Sequence, residues 1–70
     1  MNGYDKLSRH FANRNERLLR SLLIRDYGAR NYRLTRDGDV HVYGTMPNTN
    51  QEGWYLLSSR DHAMREYNIV

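Results

Sequence analysis

The sequence predicts an α+β domain: a long N-terminal amphipathic helix packs on a three-stranded antiparallel sheet, and a short C-terminal helix closes the chain. Three observations predict it. Apolar residues recur at helical spacing over residues 4–27. After Arg30 the period changes to two, with Tyr32 and Leu34 in one run and Val40 and Val42 in the next. Gly28, Gly38 and Pro47 stand between these segments as breakers. Seventy residues without an internal repeat or linker make one domain over 1–70.

Each element has its own warrant. In the first helix Leu7, Phe11, Leu18 and Leu22 form one row, and Leu19 and Leu23 form the adjacent one. Asn13 and Glu16 are spaced as a capping box, which allows a break near Asn13. Gly28 just past the last periodic residue is the left-handed terminator, and Arg25 suits the negative end of the helix dipole. The hairpin is predicted with Arg36-Asp37-Gly38 as a three-residue loop and Gly38 left-handed. That register sets Leu34 against Val40, Tyr32 against Val42 and Arg33 against His41, whereas a two-residue loop would mix apolar and polar residues on each face. Residues 46–53 are polar and turn-rich and read as a loop; Trp54-Tyr55-Leu56-Leu57 reads as the third strand. Ser58 and Asp61 are spaced as a cap for a last helix whose apolar side is Ala63, Met64 and Tyr67, and the tail Asn68-Ile69-Val70 is expected to fray.

Composition narrows the chemistry. A domain of this length buries only about 60% of its unfolded surface, so the core is small, a deep catalytic cavity is not expected, and homodimerisation would supply missing burial. Without cysteine there is neither a disulfide framework nor a thiolate metal site. The longest apolar run, Leu22-Leu23-Ile24, is far short of a membrane span, and no signal segment is evident, so a cytoplasmic protein is expected. His10, His41 and His62 fall in different elements, and no phosphate loop, nucleophile elbow or paired-carboxylate motif appears; no cofactor and no metal are expected.

Ten of the eleven basic residues are arginine, and residues 1–36 carry nine basic against three acidic residues, a net +6, while residues 37–70 carry two against five, a net −3. Arginine's planar fork suits carboxylates, phosphates and aromatic faces. On a wheel of about 100° per residue, Arg14, Arg17, Arg20 and Ser21 lie opposite Leu18, Leu19, Leu22 and Leu23, with Ile24 inside the arginine stripe. Arginine beside an exposed apolar side chain is an interface composition, so Arg14, Arg17, Arg20 and Ile24 are the candidate partner-binding residues. A second candidate is the sheet face away from the core, with Arg33, Thr35, His41 and Tyr43, and either Tyr55 or Trp54 beside them. Interleaved basic and aromatic residues of this kind contact nucleic acid, and Arg33, His41, Tyr43 and Tyr55 are its candidate residues.

The element order resembles that of double-stranded RNA-binding domains, which implies RNA contacts at the start of the last helix; there Ser59-Arg60-Asp61-His62 sets one arginine against an aspartate. The run from Tyr32 to Tyr43 resembles the hairpin of HicA-type RNase toxins, without their Gly-Ser-His signature, and residues 31–67 resemble in order the DNA-reading domains that begin phage integrases. No specific motif of these families is matched. The expectation drawn from the residues is a non-enzymatic binding protein, an inhibitor or regulator of the phage or plasmid type. It would dock its arginine-rich helix face on a protein of a host nucleic-acid-handling complex, with anti-CRISPR or anti-restriction action as the concrete form. The alternative is direct DNA or RNA binding, and a third reading is a small RNase using His41 as general acid or base with Arg33 on the phosphate.

Overall fold

The computed structural model describes the backbone of residues 3–70 and the side chains of residues 13–70. Five elements follow in order: α1 (Gly3–Tyr27), β1 (Tyr32–Leu34), β2 (Asp39–Thr45), β3 (Glu52–Ser59) and α2 (Arg60–Glu66). The side chains of Leu7, His10 and Phe11 lie outside the described residues.

The helix α1 runs without interruption through Asn13. The break that the Asn13–Glu16 spacing allowed is absent, and the Glu16 carboxylate accepts from Arg20 at 3.2 Å and lies 3.6 Å from Arg60. Gly28 ends the helix as expected, at φ +105°, with its N–H donating to Ile24 O at 2.9 Å. Asn31 seals this end by donating Nδ2–H to Tyr27 O at 2.8 Å.

The sheet order is β1-β2-β3, antiparallel throughout. The first hairpin has the predicted register, Tyr32 against Val42, Arg33 against His41 and Leu34 against Val40. Gly38 is left-handed at φ +89°; its N–H reaches Thr35 O at 3.2 Å, and the Thr35 hydroxyl accepts from Asp39 N–H at 3.0 Å. The second connection is shorter than the sequence suggested. Met46 N–H donates to Gln51 O at 2.9 Å, and Thr49 N–H and Oγ1 both reach Met46 O at 3.2 Å, so residues 46–51 form a hydrogen-bonded turn and β3 begins at Glu52. A register shift between Val40 and His41 leaves Leu57 as the extra residue of β3, between Leu56, which pairs with His41, and Ser58, which pairs with Val40.

Leu19, Leu23, Val40, Val42 and Ala63 form the buried core, with Tyr27, Tyr32, Leu34, Tyr55, Leu57, Met64, Tyr67 and Ile69 packed around it. The helices therefore cover one face of the sheet. Leu18 departs from the sequence reading: it is 45% exposed, because the buried stripe centres on Leu19 and Leu23 and Leu18 lies a full residue step around the helix.

Ser59, one residue later than expected, caps α2 by accepting from His62 N–H at 3.1 Å. At the other end Asn68 is left-handed at φ +59°; its N–H meets Arg65 O at 3.0 Å, and Ile69 N–H meets Met64 O at 2.8 Å. This is a Schellman closure, and with Ile69 packed on the core it holds a tail that was expected to fray. Arg60 joins three elements: its backbone N–H donates to Gly38 O at 2.7 Å, its guanidinium donates to Thr35 O, and Nη1 faces Glu16 of α1.

Candidate functional site

Because Val40, Val42 and Tyr55 face the helices, strand alternation turns Arg33, His41, Tyr43, Trp54 and Leu56 to the opposite side of the sheet. That side carries three of the exposed large apolar residues: Tyr43 at 38%, Trp54 at 37% and Leu56 at 56%. The side chains form a built cluster. The Arg33 guanidinium lies 4.3 Å from the centroid of the Trp54 ring, and Tyr43 meets Trp54 edge-on at 5.8 Å and 71°.

The sequence left Tyr55 and Trp54 as alternatives for this face and favoured Tyr55 as a site residue. The register decides for Trp54: Tyr55 pairs with Val42 and packs against the core, whereas Trp54 pairs with Tyr43. Thr35 serves the turn through Asp39.

The second surface is the outward side of α1. Arg14, Arg17, Ser21 and Ile24 are exposed, and Leu18 joins them. A shallow hollow of about 450 Å³ opens between Asn13, Arg14, Arg17 and Leu18. Among the described residues neither Arg14 nor Arg17 has an acidic partner.

Arg20, expected in the same stripe, turns instead to the sheet. Nη1 donates to Tyr32 Oη at 3.4 Å and Nη2 to Glu16 at 3.2 Å, and the guanidinium sits 5.9 Å from the Tyr32 ring centroid. The hydrogen bond to Tyr32, followed by that to Glu16, raises its pKa against the opposing effect of burial. On the wheel Arg20 borders the buried stripe, and it makes these contacts while its side chain stays 46% exposed.

A third depression of about 340 Å³ lies between Tyr27, Leu57, Ser58, His62, Ala63, Glu66 and Tyr67. Several of its polar groups contact one another or α1. His62 Nε2 is 3.4 Å from Glu66, and Tyr67 Oη donates to Asp26 at 2.6 Å. Burial, reinforced for Tyr67 by its bond to Asp26, raises both Tyr27 and Tyr67, so neither phenol is a base near neutral pH. Arg25 first, and then Tyr67, holds the Asp26 carboxyl below its ordinary value. No group of three His, Asp or Glu side chains converges among the described residues, and no described helix is long and apolar enough to cross a membrane.

The fold is thus a two-layer α+β module with an exposed arginine and apolar surface on the helix side and an aromatic surface on the sheet side. No protein-family model matches this chain, and no curated protein or solved structure is significantly similar to it.

Proposed function

We propose that the chain is a non-enzymatic protein-binding module that docks through the outward face of α1. The observation that carries this reading is the arrangement of Leu18 and Ile24, 45% and 43% exposed, around Arg14 and Arg17 on one helix face. Leu18 and Ile24 leave nearly half of their surface in water, and apolar side chains interspersed with arginine are an interface composition. The matching partner surface is an apolar pocket bordered by carboxylates, the guanidiniums of Arg14 and Arg17 supplying paired N–H donors. An inhibitor or regulator that seats this face on a protein of a nucleic-acid-handling complex, in the manner of small phage or plasmid accessory proteins, is the class we favour.

Charge reversal tests it. Arg14→Glu with Arg17→Glu is expected to abolish capture of the partner while leaving circular dichroism and the melting temperature near those of the parent. Capture unchanged in a folded double variant refutes the reading. Arg20 is left out of this test because it contacts Tyr32 and Glu16, so its replacement also removes contacts within the chain.

A further inference from the structure

The arginines around β1 belong neither to the core nor to the α1 surface. Arg30, Arg33 and Arg36 recur every third residue, all three are exposed, and none forms an ion pair among the described residues. Arg33 rises from β1 onto the aromatic side of the sheet, where it covers Trp54. The carboxylates nearest this face stand at its two ends. Asp37 and Asp39 lie at the first hairpin, and Glu52 pairs with Thr45 at the other end of β2. The middle, where Arg33, His41, Tyr43, Trp54 and Leu56 meet, holds no acid in the strand register.

We infer that this open sheet face binds single-stranded nucleic acid, bases stacking at Trp54 and Tyr43 while Arg33 meets the phosphates, with Arg30 and Arg36 just before and after β1 in the chain adding positive charge. Two features of the surface select that occupant. The stacking groups are aromatic and sequence-tolerant, since every base has a π face, and the flanking charge is positive and unpaired, as a phosphate backbone requires. A duplex keeps its bases stacked on one another and offers these rings nothing.

The Arg33–Trp54 pair makes the face responsive. A base that arrives here either stacks on the guanidinium plane or displaces it from the indole toward a phosphate, and both events change the indole's surroundings. The α1 surface lies on the other side of the molecule from this sheet face, so the module would hold a protein on one side and a single strand on the other.

Trp54 is the only tryptophan in the chain, so its emission reports on this face alone. The full chain is titrated with a ten-nucleotide oligothymidylate and a ten-nucleotide oligouridylate at low salt. Saturable quenching of Trp54 is expected. Added salt should weaken it, with a slope of about −0.7 per phosphate neutralised, and a duplex of the same length should compete poorly. Tyr43→Ala, checked for folding by circular dichroism, should lower affinity about tenfold. Arg33→Ala should lower it and reduce the salt slope by about one neutralised phosphate. The Arg14→Glu/Arg17→Glu variant should keep the quenching, so failure of the α1 reading and failure of this one are distinguishable.

Unchanged emission at low salt overturns the inference. So does binding that survives Arg33→Ala combined with Tyr43→Ala, binding lost through the α1 variant, or equal affinity for the duplex. Loss of a captured protein from the Arg33→Ala/Tyr43→Ala variant, with no oligonucleotide bound by the parent, would assign the face to a protein instead.

Discussion

Replacing Leu18 and Leu23 by alanine, one at a time, separates a core residue from a surface one within the same helical pattern. Each change removes three carbons, which contribute about 0.8 kcal/mol apiece when fully buried. Leu23 is 0% exposed and touches the central cluster, so its truncation loses all of that and leaves a cavity beside Leu19 and Val42; the expected cost is about 3 kcal/mol or more. Leu18 is 45% exposed. It loses only about half the transfer energy and opens no closed cavity, and alanine's better helix propensity returns a few tenths, so its cost is about 1 kcal/mol. A domain this small holds only about 3–5 kcal/mol in all. In urea, with a slope of about 1 kcal/mol per molar for a chain of this size, Leu18→Ala should move the midpoint by about 1 M, while Leu23→Ala should leave little folded baseline. Equal losses for the two variants would place Leu18 in the core and remove half the apolar content of the proposed docking face.

Three further predictions follow from contacts elsewhere. Arg60→Met should cost only about 1 kcal/mol by thermal melt: the hydrogen bond to Thr35 O and the contact with Glu16 are lost, but the buried, unpartnered Nε no longer has to be desolvated, and a loss above 3 kcal/mol would contradict that balance. Gly38→Ala should destabilise by about 1–2 kcal/mol, entirely through the backbone, since a Cβ there meets nothing within 4 Å. Gly38→Asn should cost less, because asparagine tolerates the left-handed region, and the ordering of the two melts checks this. Tyr67 titrates higher in the folded chain than unfolded, so its contribution is fully present below the unfolded value of about 10 and is lost as pH rises through the folded one. Stability should therefore fall above about pH 10, and less steeply in Tyr67→Phe; equal slopes in urea titrations at pH 9 and 11 would refute it.

Much of this fold was legible because it is written in local signals. Gly38 and the alternation of Tyr32, Leu34, Val40 and Val42 admit only one hairpin register that keeps the apolar residues on one face, and Gly28 marks the end of a periodic run. What escaped depends on contacts distant in sequence. Leu18 and Leu19 look alike in periodicity, and only the position of the sheet says which is buried. Arg20 fits an outward stripe until Tyr32, twelve residues away, supplies a phenol. Tyr55 was favoured over Trp54 for the open face until pairing with Val42 and Tyr43 fixed the strand's phase the other way. The Arg60 contacts span 25 residues to Thr35 and have no local signature. Of the candidate sites, Arg14, Arg17 and Ile24 share one exposed helix face and Arg33, His41 and Tyr43 one sheet face, as read from the sequence; Arg20 is exposed too but also contacts Tyr32 and Glu16, and Tyr55 packs against the core.

The docking face proposed for α1 is tested most directly by affinity capture from nuclease-treated native-host lysate. Tagged parent is compared with Arg14→Glu/Arg17→Glu and with Arg33→Ala/Tyr43→Ala, all three first shown to be folded. The predicted result is a protein retained in stoichiometric amount by the parent and by the sheet-face variant and lost from the helix-face variant. Retention by the helix-face variant at the parent's level would contradict the proposal.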